Sequence, residues 1–188
     1  MGQPWFQKLF GNLQTQQPDS TQTKAANGDA EAQFSLGSGY ASVTGTVPDY
    51  AQAARWYLQA ANQDHVPAQF ALGTMFAVGK GVPRNDGEAM LWIRRAAQQG
   101  HAAAQHALGV RHRRASFASP PSNAVESNLE AFKWFHLAAA QRHAGSDAEL
   151  ESITLGMTWE QVLEGNRRAA SFVAGGSNSI AAEGVQPG

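Results

Sequence analysis

The chain has 188 residues, no cysteine, and 14 Lys and Arg against 15 Asp and Glu, for a net charge of −1. That length allows one domain with a sizeable core, while the missing cysteines exclude disulfides, a thiolate nucleophile and Cys-based zinc sites. The neutral total gives no field that would draw the chain onto nucleic acid or an acidic membrane, and no apolar run reaches the ~18 residues that span a bilayer.

Residues 1–24 read as an amphipathic segment followed by a linker. Trp5, Phe6, Leu9, Phe10 and Leu13 form an apolar stripe after Pro4, a residue suited to the first turn of a helix. Three roles fit this stripe: covering the open end of the domain that follows, docking on a partner or a second copy, or holding an adaptor at a membrane surface through residues 4–13. With a single lysine in the segment, the first is preferred. Residues 14–24, rich in Gln and Thr, have the composition of an unstructured linker. Lys8 interrupts the apolar run and no small-residue cleavage site follows, unlike a secretory signal, so a cytoplasmic location is expected.

From residue 25 the chain repeats itself. A-Q-x-x-L-G begins at Ala32, Ala68 and Ala104, at a spacing of 36; Trp56 and Trp92 are also 36 apart, and Trp92 and Trp134 are 42 apart. Self-similarity at this period marks stacked repeats. Each unit divides into two helices, A and B. At about 100° per residue, Ala32, Gln33, Leu36, Gly37 and Tyr40 share the core face of the first helix A. Ala53, Trp56, Tyr57, Ala60 and Ala61 do the same for the first helix B. Asp49-x-x-Gln52, Asn85-x-x-Glu88, Ser127-x-x-Glu130 and Thr158-x-x-Gln161 each fit a capping box and mark the helix B starts.

Gly37, Gly73 and Gly109 recur inside helix A, where glycine costs about 1 kcal/mol relative to Ala. Their return predicts a closely approaching neighbour, expected to be the Trp of helix B. The units run over 25–60, 61–96 and 97–138, with a degenerate fourth at 139–172 in which Glu151 replaces the glycine. An atypical last unit closes a solenoid. The six extra residues of the third unit fall around ASFASPPSNAVE, 115–126, read as a surface loop of the kind that maps to one face of a solenoid. Residues 173–188 read as a disordered tail.

The pattern A-x-x-G-x-A-x-A-Q-x-x-L-G-x-x-Y, then G-x-G-V, then D-x-x-x-A-x-x-W with paired alanines, resembles the Sel1-like repeat. Unit 2 carries it through Leu72-Gly73, Gly79-Lys80-Gly81-Val82, Ala89, Trp92 and Ala96-Ala97, and MTWEQVLEGNRRAASF resembles the closing helix of many bacterial members. Unit 1 keeps one glycine of the G-x-G-V motif; unit 3 lacks the motif and has His112 in the slot of Tyr40 and Phe76. The resemblance implies a tetratricopeptide-like, all-α, right-handed solenoid of antiparallel helix pairs. It also implies a non-catalytic scaffold or adaptor for a protein or peptide. Some cysteine-rich secreted relatives are linked to β-lactam binding, and this chain lacks the cysteines that define them.

Candidate binding residues follow from the repeat slots and the charge pattern. Phe34, Phe70 and His106 share one outward slot of helix A. Arg113 and Arg114 belong to an RHRR cluster within a segment, Lys80 to Arg114, that has seven Lys or Arg and two Asp or Glu. Such a patch steers an acidic partner, and the same arginines also suit a helix C-terminus. The expected surface is therefore the helix A face with the 115–126 loop. A rival reading is an enzyme or small-ligand binder using a pocket near His106 and Arg113. No metal or cofactor is expected, because His65, His101 and His143 recur at the turn before helix A, spread along the stack, and no H-E-x-x-H, phosphate loop or G-x-S-x-G occurs.

Overall fold

The computed structural model describes residues 20–42, 47–118 and 120–182; the 4–13 stripe lies outside them. Among these residues the chain is helical and has no strand. The helices are α1 (Ser20–Ala26), α2 (Ala30–Ala41), α3 (Tyr50–Ala61), α4 (Val66–Val78), α5 (Asp86–Gln98), α6 (Ala102–Ala118), α7 (Pro121–Ala140), α8 (Ser146–Thr154) and α9 (Trp159–Ala182). The period thus folds as an all-α solenoid. α2 pairs with α3, α4 with α5 and α6 with α7; α3 also packs on α4 and α5 on α6, while α8 and α9 both pack on α7.

Local chemistry sets the helix boundaries. Asp49 accepts the Gln52 N–H at 3.0 Å, and Asn85 accepts those of Gly87 and Glu88 at 3.0 and 3.1 Å. Thr158 and Gln161 bond reciprocally at 2.9 and 3.3 Å. Helix B closes the same way at each turn. Asp64, Gly100 and Arg142 adopt positive φ, and the next N–H, of His65, His101 or His143, returns to the carbonyl of Ala60, Ala96 or Ala138 at 3.0–3.1 Å. This is a Schellman closure. Gly28 and Asp29 repeat it after α1, with Asp29 N–H on the Lys24 carbonyl at 3.0 Å.

Three expectations change here. Ser127 caps nothing: it lies inside α7, which begins at Pro121 after an N-cap Pro120 without a side-chain bond. The 115–126 segment is not a loop, since α6 runs to Ala118 and α7 starts at Pro121. The six extra residues therefore lengthen both helices of the third pair, to 17 and 20 residues against 12 or 13 in the first two pairs. Proline cannot continue a helix from the preceding turn but is well suited to start one, so Pro120-Pro121 concentrates the break at one point. At the ends, α1 occupies part of the expected linker. α9 continues past residue 173 to Ala182, because neither a proline nor a left-handed glycine stops it there.

The core is small side chains punctuated by aromatics. One cluster joins Ala53, Ala54, Tyr57, Ala60 and Ala61 of α3 to Ala68, Leu72 and Met75 of α4 and Trp92 of α5. The next joins Ile93, Ala96 and Ala97 to Ala104 and Leu108, with Trp134, Leu137 and Ala169. Trp92 and Trp134 thus occupy equivalent places one unit apart. The recurring glycines do permit close approach, but the residue after each Trp slot lies on them. A Cβ at Gly73 would stand 2.8 Å from Ile93 Cγ1, and one at Gly109 2.6 Å from Phe135 Cδ1. The Trp, one residue earlier and about 100° round the helix, faces the preceding unit instead.

Trp92 is 5% exposed, whereas Trp56 is only half-buried. Trp92→Ala is expected to lower stability by about 3–5 kcal/mol, and Trp56→Ala by clearly less, in urea unfolding followed by circular dichroism; equal losses would contradict the packing described. Arg142 sits exposed at φ 58°, a conformation costing a non-glycine residue about 1 kcal/mol. Arg142→Gly is therefore expected to raise or preserve the melting temperature.

Candidate partner-binding surface

Each junction between units is wired by a buried glutamine. Gln33, Gln69 and Gln105 are 4%, 0% and 2% exposed. Their Nε2 atoms donate to the carbonyls of Ala25, Ala61 and Ala97 at 3.1, 3.4 and 3.2 Å, near the C-terminal ends of α1, α3 and α5. Their Oε1 atoms accept from Gln63, Gln99 and Gln141 at 2.8, 3.0 and 2.8 Å. One amide therefore joins the end of the preceding helix B to the end of its own. The partner glutamines repeat as A-A-x-Q, a signal present in the sequence but absorbed there into the paired alanines.

A histidine stands beside each amide. His65 and His101 cap α4 and α6, with Nδ1 accepting the N–H of Ala68 or Ala104 at 3.2 Å. An accepting Nδ1 leaves the proton on Nε2, and His65 Nε2 meets Glu31 at 3.0 Å. Their rings lie against Phe34 and Phe70, with centroids 4.8 and 4.7 Å apart. At the third junction His106 stacks on His143 at 4.8 Å. Both Nδ1 atoms reach the Ser146 hydroxyl, at 2.9 and 3.1 Å. A hydroxyl has one proton to donate and two lone pairs, so at most one ring accepts from it and at least one donates from Nδ1. Ser146 is 0% exposed, closed to any substrate, so this serine–histidine contact is part of the packing. Phe34, Phe70 and His106 are all half-buried in these stacks.

The arginine cluster divides between two roles. Arg113 forms an ion pair with Glu149 and donates to Ser152 Oγ at 2.8 Å, tying α6 to α8. Arg114 and Arg111 point outward, and among the described residues Arg114 has no ion-pair or hydrogen-bond partner. Phe117 is 81% exposed. Val110, Arg113, Arg114, Phe117 and Glu149 line an open cleft of about 360 Å³. A second cleft, of about 320 Å³, lies against it and shares Val110 and Arg114, adding Arg84, Met90 and Arg111. Ala107, Val110, Arg111, Arg114 and Phe117 form one stripe at helical spacing. His106 does not line the cleft beside Arg113. The sequence reading had Arg111 in the RHRR cluster and Phe117 within the 115–126 segment, but it missed Val110 and did not put Phe117 on a helix, because the expected loop ended helix A too soon. Extending the helix to Ala118 puts Phe117 on the stripe.

Three successive matches to the Sel1 repeat family model cover residues 30–65, 66–101 and 102–143. They begin at or next to the first residues of α2, α4 and α6, five residues after the unit starts read from the sequence. No curated protein matches the chain. Among solved structures it is similar to a protective antigen present in uropathogenic Escherichia coli strains displaying an SLR fold. The identity is 25% and the TM-score 0.68 over 89% of this chain, which spans 36% of that protein's length. It is also similar to a Sel1 repeat protein from Oxalobacter formigenes, at 33% identity and a TM-score of 0.56, covering 68% of this chain and 93% of that one.

His101 and His106 make the stack sensitive to acid. Burial, then the charge of His143, holds the pKa of His101 below its usual value, and the same two causes act on His106. The unfolded chain then takes up protons first, at about pH 6.5. Stability is full above that value and is lost as pH falls through it towards the folded pKa. The melting temperature is expected to fall between about pH 7 and pH 5. His101→Asn keeps a capping acceptor that does not titrate and should make that fall shallower; an unchanged slope would remove the role of His101.

Proposed function

The chain belongs to the Sel1 repeat family, and on that premise we propose that it is a non-catalytic scaffold holding an acidic protein or peptide segment along the outer stripe of α6. Sel1 repeat proteins mediate protein–protein interaction. The observation that carries the reading is the pairing of Arg114, a cation without a partner among the described residues, with the exposed ring of Phe117 on one open cleft. An exposed aromatic anchors a peptide and cations beside it select acidic residues. Arg111 extends the positive side into the adjoining cleft, where Arg84 is already paired with Asp86.

The five residues singled out by the sequence then have different parts. Arg114 meets the partner directly, and Arg113 shapes the cleft while holding Glu149. Phe34, Phe70 and His106 set the angle between units through their stacks. The surface expected from a 115–126 loop comes instead from the last turn of α6. An open cleft shared among several helices suits an extended chain better than a small substrate. Among the described residues no helix is long and apolar enough to cross a membrane.

Selection from a random peptide library should enrich peptides with two or more Asp or Glu flanking an apolar residue. Arg114→Glu with Phe117→Ala should weaken the selected peptides by at least about tenfold, a loss near 1.4 kcal/mol, with the helical signal and melting unchanged. Raising salt should weaken binding too. Enrichment of uncharged peptides, or binding indifferent to the double substitution, would overturn the proposal. Arg113→Glu is a poorer test, because it leaves Glu149 facing another carboxylate and loosens α8.

A further inference from the structure

The first unit is less well covered than the units that follow it. Leu72 and Leu108 are each 1% exposed, and Trp92 and Trp134 are 5% and 6% exposed. Their equivalents one unit earlier, Leu36 and Trp56, are only half-buried, although the sequence places both in the core. Tyr40 is 38% and Val47 92% exposed. Together with Gln22, Gly39 and Asp49, Leu36, Tyr40 and Val47 line a cleft of about 400 Å³ at this end of the stack.

The repeat register gives the cause. In later units this place is taken by the preceding helix B. α1 is the counterpart of such a helix: the Ala25 carbonyl takes Gln33, as those of Ala61 and Ala97 take Gln69 and Gln105. Yet α1 has 7 residues, against 12 in α3. Thirty-six residues before Ala53, Ala54 and Tyr57 stand Gln17, Pro18 and Thr21. The counterparts of the covering side chains are therefore polar or proline, and do not seal Leu36 and Trp56 as a full apolar helix B seals Leu72 and Trp92.

The chain immediately ahead supplies a replacement. Trp5, Phe6, Leu9, Phe10 and Leu13 recur at helical spacing. Residues 4–13 as a helix measure about 15 Å, close to the length of α2. The six residues 14–19 reach about 20 Å when extended, and they join α1, whose Gln22 already lines the cleft. We infer that residues 4–13 dock as an amphipathic helix on the Leu36–Tyr40–Val47 cleft of their own chain and supply the cover that a full apolar helix B gives the later units. Burying this stripe removes five large apolar side chains from water together with the half-exposed Leu36 and Trp56.

The absence of cysteine makes the test clean. In the full chain, Phe10→Cys with Val47→Cys should be joined by a short bis-maleimide within one molecule, independently of protein concentration. Phe10→Cys with Leu155→Cys, at the far end of the stack, should not. Deleting residues 1–13 should lower the melting temperature and make Trp56 more accessible to acrylamide, and in a Leu36→Ser background the same deletion should cost less. Crosslinks only between molecules would make a second copy the occupant and overturn the inference. So would crosslinking to position 155 alone, no crosslink, or a deletion that leaves the melting temperature unchanged. None of these outcomes depends on the α6 stripe, so they leave the partner-binding proposal to be judged separately.

Discussion

The stack depends on one buried amide per junction. The closing turn of helix B is covered by the next unit, away from water; its Ala25, Ala61 or Ala97 carbonyl takes one backbone N–H, from Gly28, Asp64 or Gly100 at 3.1 Å, and keeps a second lone pair to fill. Gln33, Gln69 and Gln105 donate to such carbonyls and accept from a glutamine at the end of their own helix B. The side chain must supply a donor and an acceptor in a fixed plane, which glutamine does. A glutamate would set its charge against a carbonyl; a leucine would leave the carbonyl with the turn N–H of Gly28, Asp64 or Gly100 alone and would remove both side-chain bonds, a net loss of about 0.5–1.5 kcal/mol each. Apolar packing alone tolerates sliding, but an amide with two fixed partners does not, and this holds successive units in register.

With that register fixed, the alanines and glycines fall into place. Helices A and B can approach closely because Gly73 and Gly109 present no side chain to Ile93 and Phe135. The space so saved is filled on the other side by Trp92 and Trp134, which reach across to the preceding unit. The G-x-G-V turn of unit 2 belongs to the same economy. Gly81, at φ 74°, passes so close to the Tyr50 carbonyl that no Cβ fits, and Val82 packs against the first core cluster. The loop after one helix A is thereby pinned to the start of the previous helix B.

How much of this could be read from residues alone depended on the range of the signal. The 36-residue spacing is carried by several independent positions, so the helix pairs, their order and the N-caps Asp49 and Asn85 follow from it, although among the described residues only Thr158 and Gln161 close a reciprocal box. The glycines signalled contact but named the wrong partner, since Trp56 and Tyr57 lie on one apolar face and only the packed backbone decides which one turns inward. Ser127-x-x-Glu130 failed because a four-residue motif carries no information on whether the helix has already started. Arg113 and Arg114 are neighbours in sequence with opposite fates, one paired to Glu149 and one without a partner among the described residues. Nothing local distinguishes them, because Glu149 arrives from a different unit. Of the five residues singled out, the sequence placed Phe34, Phe70 and His106 correctly in one repeating slot. It could not tell that each would meet a histidine of the next turn.

The third unit shows where such a stack acquires individuality. Losing the G-x-G-V turn removes the left-handed glycine that caps α4 at Gly79, and α6 then continues to Ala118. That extension carries Phe117 and the stripe it ends clear of the packed junction, while α7 lengthens to match. The same region exchanges the phenylalanine of the stacking slot for His106 and binds its neighbour through Ser146. The amide ladder continues unbroken through it, Gln141 reaching Gln105 despite the six added residues. A repeat protein can vary its surface only where the junction tolerates it. Here the insertion lies at the end of the helix pair away from the amides, so the exposed turn changes while the register beneath it does not.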